Sequence, residues 1–203
     1  MRKKTIVICS LLLSAISQVV VAKTFYCHVD AIGYDDSNKT YFVYIPDSLA
    51  HDLTYKEYVR SLKIFLCDNG YTESNEENAD LKIAFDYMLS DRETQQSIGS
   101  VNNFVYTNGK LVPNGTSNYT THTTYQNFSL SLKASDNRTN EAKWSVIVTD
   151  RSFASEFENM RRLMPFYLYS AVAFVGTDTH GTREFKIKSK DPNVKKYNFT
   201  WKE

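Results

Sequence analysis

The 203-residue chain lacks the short motifs of metal sites and nucleophilic enzymes. Its four histidines show no HxH or HxxxH spacing, and its three cysteines form no CxxC pair, although zinc sites commonly use such spacings. The patterns GxSxG, SxxK, GxGxxG and GxxxxGK[ST] are also missing, which leaves no signature of a common hydrolase or nucleotide-binding protein. We therefore expect no cofactor and no metal ion.

Charge of one sign is not in excess either. The chain has 24 Lys+Arg and 23 Asp+Glu, a formal net charge of +1. Without the first 22 residues, three of which are basic, 21 basic and 23 acidic residues remain, a net charge of −2. Nucleic-acid-binding domains carry clustered basic charge, so this balance favours no nucleic-acid partner.

Long apolar runs are confined to the N-terminus. Residues 2–4 are basic, an apolar stretch begins at residue 5, and Val20 and Ala22 are the small residues of a cleavage site. This order predicts a secretory signal peptide over residues 1–22. The alternative is an uncleaved membrane anchor, but polar residues interrupt the run. We expect a periplasmic or secreted protein with no transmembrane span after signal cleavage.

Cysteine is scarce after the leader, where Cys27 and Cys67 remain. Cys27 lies on the first predicted strand and Cys67 at the end of the first predicted helix. In an oxidising compartment, two cysteines on elements that pack together can form a disulfide. The sequence thus predicts a Cys27–Cys67 disulfide, and the alternative is a pair of buried thiols.

What the chain does contain is a clear helix–strand unit over residues 52–87. Thr54 and Glu57 fit a capping box, and Gly70 fits the left-handed residue that follows a helix. After a polar loop, residues 81–88 alternate between apolar and other side chains, the period of a strand with one buried face.

The rest of the chain predicts further strands and a second long helix. Pro165 lies inside that helix and predicts a kink or two helices meeting at Met164. Earlier in the chain, residues 90–100 are polar, and residues 113–115, Pro-Asn-Gly, predict a turn. The predicted strands are 24–30, 40–45, a hairpin of 104–107 and 110–112 around Asn108-Gly109, 117–132, 142–149 and 182–188, and the helix is 152–175.

Strands and helices do not alternate regularly in this order. We therefore predict an α+β fold, a mostly antiparallel sheet with two main helices packed on one face. Residues 23–203 form a single domain in this interpretation, with a basic strand and tail at its C-terminus. The runs at 117–132 and 142–149 pair most simply as antiparallel neighbours.

The segment 102–128 is rich in tyrosine, asparagine and threonine. Tyr106, Tyr119 and Tyr125 are candidate binding residues, since tyrosine provides contact area at low entropic cost. The same composition suits any exposed antiparallel sheet. We nevertheless favour a non-enzymatic binding or assembly module that uses its sheet edge or hairpins.

Two other segments offer weaker alternatives. His180, between Gly176 and Gly181, could form a small polar site near a helix end, which would make the protein a hydrolase with an unrecognised site. The basic strand 182–188 could meet anionic lipid or lipopolysaccharide, although lysines on an edge strand more often prevent aggregation.

Several short segments resemble a family of small bacterial envelope proteins, many of them lipoproteins, classed as a domain of unknown function. The segments are TYFVY, LCDNGY, ADLKIAFDY, NFSLSL and AKWSVIV. In that family a Gly-Tyr pair precedes an Ala-Asp-Leu, matched here by Gly70-Tyr71 and Ala79-Asp80-Leu81, and a late-strand Trp is matched by Trp144. Neither Cys9 nor Cys27 follows the small residue that precedes a lipidated cysteine, so we expect no lipid anchor. The resemblance implies an envelope protein or envelope component as partner and no catalytic residue.

Overall fold

The structure is a computed structural model that describes residues 24–33, 40–197 and 199. The predicted leader, residues 34–39 and the end of the predicted C-terminal tail lie outside these residues. The strands in these ranges are β1 Thr24–Gly33, β2 Thr40–Tyr44, β3 Thr72–Glu73, β4 Leu81–Leu89, β5 Glu93–Thr107, β6 Lys110–Asp136, β7 Ala142–Phe153 and β8 Arg183–Lys188. These eight strands form one sheet in the order β3-β2-β4-β6-β7-β1-β8, with β5 paired to β6.

In the described part of the chain, four α-helices accompany the sheet: α1 Leu53–Asp68, α2 Ala154–Phe157, α3 Met160–Val172 and α4 Pro192–Lys196. The α+β class is confirmed, but the sheet is mixed, because β2 runs parallel to both β3 and β4. The reason is that α1 connects β2 to β4, and a helical crossover returns the chain parallel to the strand it left.

The N-cap of helix α1 lies two residues before the predicted cap. The side chain of Asp52 accepts hydrogen bonds from the backbone N–H groups of Thr54 and Tyr55, at 2.8 and 3.0 Å. Asp52 is therefore the N-cap, and the capping box predicted at Thr54 is wrong. At the other end Gly70 adopts a φ of +87°, which confirms the predicted left-handed stop.

Both long helices pack into one core with the buried strand residues. From α1, the ring of Tyr55 stacks on the ring of Phe85, with 5.1 Å between the ring centroids. The Tyr55 hydroxyl also donates a hydrogen bond to the Phe85 carbonyl oxygen at 2.8 Å. From α3, Tyr167 stacks on Phe128 at 4.2 Å. Side chains that alternate to the other face, such as Ile32 and Met88, are exposed.

The predicted helix over 152–175 is interrupted, though not where Pro165 suggested. The chain leaves helical structure between α2 and α3, at Glu158 and Asn159. Pro165 lies inside α3, where its missing N–H removes one hydrogen bond near the start of the helix. The predicted junction at Met164 is therefore wrong.

The predicted disulfide is also wrong: Cys27 and Cys67 are both free. Cys27 is buried on β1, where its thiol donates to the hydroxyl of Ser170 at 3.3 Å, whereas Cys67 lies 3.9 Å from the hydroxyl of Tyr41 on β2. Three strands separate β2 from β1 in the sheet, a distance of roughly 19 Å. A disulfide needs Cα atoms within about 7 Å of each other.

Candidate interaction surface

A two-stranded ribbon extends from one end of the sheet. Strands β4 and β5 follow one another along β6, with Leu89 opposite Phe128 and Glu93 opposite Tyr125. Among the described residues β5 pairs with β6 alone, and β6 pairs with β7 only from Tyr125 onward. We call β5 together with residues 110–125 of β6 the ribbon; both of its long edges lack a neighbouring strand in the described part of the chain.

Local sequence explains the shape of the ribbon. Asn108 and Gly109 have φ of +52° and +73°, the backbone of a two-residue hairpin turn that follows the strand twist, and the predicted hairpin is confirmed. The predicted turn at residues 113–115 is instead an irregularity in the ladder, between the pairs Asn102–Thr116 and Phe104–Pro113. Such a bulge adds twist without reversing the chain.

Beyond its base, neither face of the ribbon packs against the rest of the described chain. Residues 91–122 are all exposed except Gly99, which is half-buried. An ideal Cβ on Gly99 would lie 2.4 Å from a ring carbon of Tyr119, so the tyrosine ring covers the glycine from the opposite strand. With 15 residues in β5, the ribbon is roughly 50 Å long.

The ribbon is almost free of charge. Residues 94–125 include one charged side chain, Lys110, whereas a segment of this length at the chain average of 23% would contain about seven. Hydroxyl and amide side chains occupy most of the other positions. The ribbon therefore has little of the charge that normally keeps exposed strands apart.

Apolar side chains concentrate at the end of the ribbon that is distant from the sheet. The register and the alternation of side chains along a strand place Phe104 and Tyr106 beside Pro113 and Leu111 on one face. Tyr106 and Leu111 are 71% and 68% exposed. Exposed apolar groups clustered in this way are typical of interaction surfaces.

The three candidate tyrosines lie at different levels of the ribbon. Tyr106 is near its tip, Tyr119 covers Gly99 at mid-length, and Tyr125 lies at the base, where it stacks on Phe153 at 5.4 Å. Alternation puts Tyr119 and Tyr125 on one face and Tyr106 on the other. They do not form one patch, and their role in binding stays a prediction.

A cleft opens at the base of the ribbon, between β1 and β7. These strands pair from His28–Thr149 to Gly33–Trp144 and diverge beyond His28, leaving a cavity of about 400 Å³. Burial raises the pKa of Asp150, and a hydrogen bond from the Tyr167 hydroxyl, at 2.5 Å, offsets part of this rise. The other lining side chains include Tyr26, Tyr125, Arg151 and Phe153.

The reactive side chains of the described residues are poorly placed for catalysis. Burial raises the pKa of Cys27 to about 12, so its thiol stays protonated at neutral pH and is a poor nucleophile. His180 lies on an exposed turn with its Nδ1 3.2 Å from Asp178 Oδ1, away from the lining of the cleft. No group of three or more His, Cys, Asp or Glu in the described ranges could hold a metal ion.

Sequence reasoning predicted the turn, the tyrosines and the strand conformation of residues 117–125, but missed residues 93–103 of β5 and their pairing with β6. The polar residues of β5 show no apolar alternation, which is the usual strand signal. The signal that could have revealed the ribbon is the absence of charge across residues 94–109.

No helix in the part of the chain that the structure describes is long and apolar enough to cross a membrane.

Comparisons with known proteins place the fold but give no activity. A family model described as "Domain of unknown function (DUF4136)" matches residues 30–166, and no curated protein matches the chain. A PDZ domain protein from Parabacteroides distasonis is similar in structure, with 11% identity and a TM-score of 0.51 over 82% of this chain. This chain spans 39% of that protein's length. PelC from Paraburkholderia phytofirmans, crystallised as a dodecamer, is 8% identical over 77% of this chain and all of PelC, with a TM-score of 0.38.

Proposed function

The chain belongs to the DUF4136 family of unknown function, and from this premise we propose that it is a non-enzymatic binding or assembly module of the bacterial cell envelope. In this proposal the module is exported by its leader to the periplasm or beyond. It engages another polypeptide chain through the ribbon. The partner is an envelope protein or envelope component.

The ribbon is the observation that carries this proposal. An unpaired strand edge presents a row of backbone N–H and C=O groups that an incoming strand can pair with. Main-chain hydrogen bonds then supply affinity, and the alternating side chains supply specificity. Because a two-stranded hairpin alone is marginally stable in water, strand addition also stabilises the ribbon itself.

The chemistry of the described side chains supports binding over hydrolysis. A hydrolase near His180 needs a nucleophile and a base that converge in a pocket. His180 is instead exposed beside Asp178, and the buried thiol of Cys27 stays protonated. The hydrolase therefore remains the weaker hypothesis.

The test is capture of a partner in isolated envelopes with a variant that lacks the ribbon. In the native hairpin, Asn-Gly connects the paired residues Thr107 and Lys110. Thr94 and Thr124 are paired in the same way at the base of the ribbon. Replacing residues 95–123 with Asn-Gly should therefore close the shortened ribbon with the same two-residue turn. The full chain should fractionate with the envelope and, after cross-linking, retain a partner there. The shortened variant should lose that partner.

Alanine variants refine this test. Replacing Tyr106, Tyr119 and Tyr125 together with alanine should lower capture strongly, since aromatic anchors dominate many interfaces. Tyr44→Ala is the matched control, because Tyr44 is a partly exposed tyrosine on β2. Equal capture by the full chain and the shortened variant would contradict the proposed function, as would a cytoplasmic location.

A further inference from the structure

We propose that the partner of the ribbon is the ribbon of a second copy of this chain, with the two β5 edges paired antiparallel about a two-fold axis. This inference rests on the proposed function, in which the ribbon is the contact surface. Self-pairing of identical edges about a two-fold axis is a closed, self-complementary contact. The product is a four-stranded sheet in the order β6-β5-β5-β6.

The two outer edges of the main sheet are both protected against the addition of a strand. Strand β8 forms one edge and carries Arg183, Lys186 and Lys188, and β3 at the opposite edge has two residues. Short length and charge are the devices by which proteins prevent edge pairing. The main sheet is thus protected at both ends of its described strand order.

The two edges of the ribbon differ from each other in this protection. The edge of β6 contains Pro113 and the bulge at Asn114 and Gly115, and both features disfavour the addition of a strand. Strand β5 has 15 residues without proline, and its one charge is Glu93 at its first position. Of the long edges in the described ranges, β5 is the one without such protection.

The charged residues of the ribbon fit an antiparallel overlap of two β5 strands. Full overlap of two β5 strands places the middle residue, Ser100, on the two-fold axis, and Glu93 of one copy then faces Thr107 of the other. Thr107 pairs with Lys110 across the ribbon. Glu93 and the Lys110 of the second copy therefore lie on one face about two strand spacings apart, roughly 10 Å between Cα atoms, within reach of their long side chains.

The two charged ends of the ribbon thus complement each other in an antiparallel pair, twice by symmetry. Glu93 also accepts a hydrogen bond from Arg151 at 3.1 Å within its own chain, so the carboxylate is already oriented at the base. A parallel arrangement would instead place Glu93 beside Glu93, with each Lys110 at the opposite end of the ribbon. Charge selects the antiparallel arrangement.

The contact area requires the full length of β5. An edge roughly 50 Å long and about 10 Å thick buries roughly 500 Å² on each copy, or about 1,000 Å² in total. That total is near the lower limit for a specific interface. A shorter overlap falls below the limit, which favours the register centred on Ser100 and predicts a reversible dimer.

Sedimentation of the purified mature chain, with variants at the axis, tests the inference. The chain should form a dimer as its concentration rises. Ser100→Lys and Ser100→Glu should each raise the dimer Kd at least about fivefold at low salt, because like charges then lie about 5 Å apart. An equimolar mixture of the two variants should restore the dimer, since the charges are then opposite.

Asn118→Lys is the matched control. Asn118 faces Ser100 across the ribbon, but in the proposed dimer the two Asn118 residues are three strand spacings apart, roughly 14 Å, so dimerisation should persist. If Asn118→Lys disrupts the dimer and Ser100→Lys does not, the β6 edges pair and the inference is wrong.

A disulfide trap checks the register directly. Directly opposed residues of antiparallel strands have Cα atoms about 5 Å apart, within the range of a disulfide. In a Cys67→Ser background, Ser100→Cys should form a covalent dimer on mild oxidation, and Asn118→Cys should not. Failure of the trap with Ser100→Cys would contradict the register centred on the axis.

These outcomes separate the inference from the proposed function. A chain that is monomeric at every concentration, yet captures an envelope protein through its ribbon, would overturn the inference and leave the proposed function intact. A chain whose envelope capture and dimerisation both survive removal of the ribbon would overturn both.

Discussion

Asp150 is a buried carboxyl group whose ionisation should affect the pH dependence of stability. Burial raises its pKa above the ordinary value of 3.8, and hydrogen bonds from Tyr167 and Ser152 oppose this rise. In the pH range between the ordinary and the raised pKa, the folded state holds more protons than the unfolded state. The contribution of Asp150 to stability therefore falls as pH rises through that range.

Replacing Asp150 with asparagine should remove this dependence. The amide oxygen can still accept from the Tyr167 hydroxyl, but the side chain no longer ionises. We expect the free energy of unfolding of Asp150→Asn, relative to the natural chain, to increase between pH 4 and pH 7 in urea titrations. Asp86→Asn, which removes an exposed carboxylate of β4, is the control. A relative stability that falls over this range would contradict the assignment.

Sequence reasoning at this scale succeeded where a residue acts on its own backbone and failed where it depends on distant neighbours. Gly70 was predicted correctly, because a left-handed position after a helix is a local requirement. The pairing of Cys27 with Cys67 was wrong, because their separation is set by the strand order. Nothing near either cysteine in the sequence encodes that order.

Among the elements, α1 shows how a cap determines where a helix begins. Asp52 accepts hydrogen bonds from two backbone N–H groups of the first turn. Asp52→Ala should therefore lower the free energy of unfolding by about 1 kcal/mol, measured by urea titration. Thr54→Ala tests the capping box predicted from the sequence and should change stability by less than about 0.5 kcal/mol. The reverse order of effects would contradict the observed cap.

Strand β5 shows why elements held by pairing alone are difficult to predict. Strands with a buried face, such as β4 and β7, were predicted from their alternation. The residues of β5 face solvent on both sides. Because neither face packs against the core, the sequence of β5 does not alternate between apolar and polar residues. Their strand conformation comes from the ladder with β6, which is a non-local contact.

The whole molecule consists of a body and a ribbon with different surfaces. In the body, the helices and one face of the sheet bury their aromatic and aliphatic side chains in one cluster. The ribbon continues two strands of that sheet into solvent, with one charge over residues 94–125. The α+β class followed from the sequence, whereas the parallel placement of β2 beside β4 depended on the position of the crossover helix.

Amide hydrogen exchange tests most directly whether this protein binds its partner through the β5 edge. The exchange rates are measured along the ribbon at protein concentrations below and above the onset of association. Association should slow exchange in β5, whose outward N–H groups gain partners, and leave residues 114–124 of β6 nearly unchanged. Protection that appears on the body or along the β6 edge, with β5 unaltered, would contradict this account.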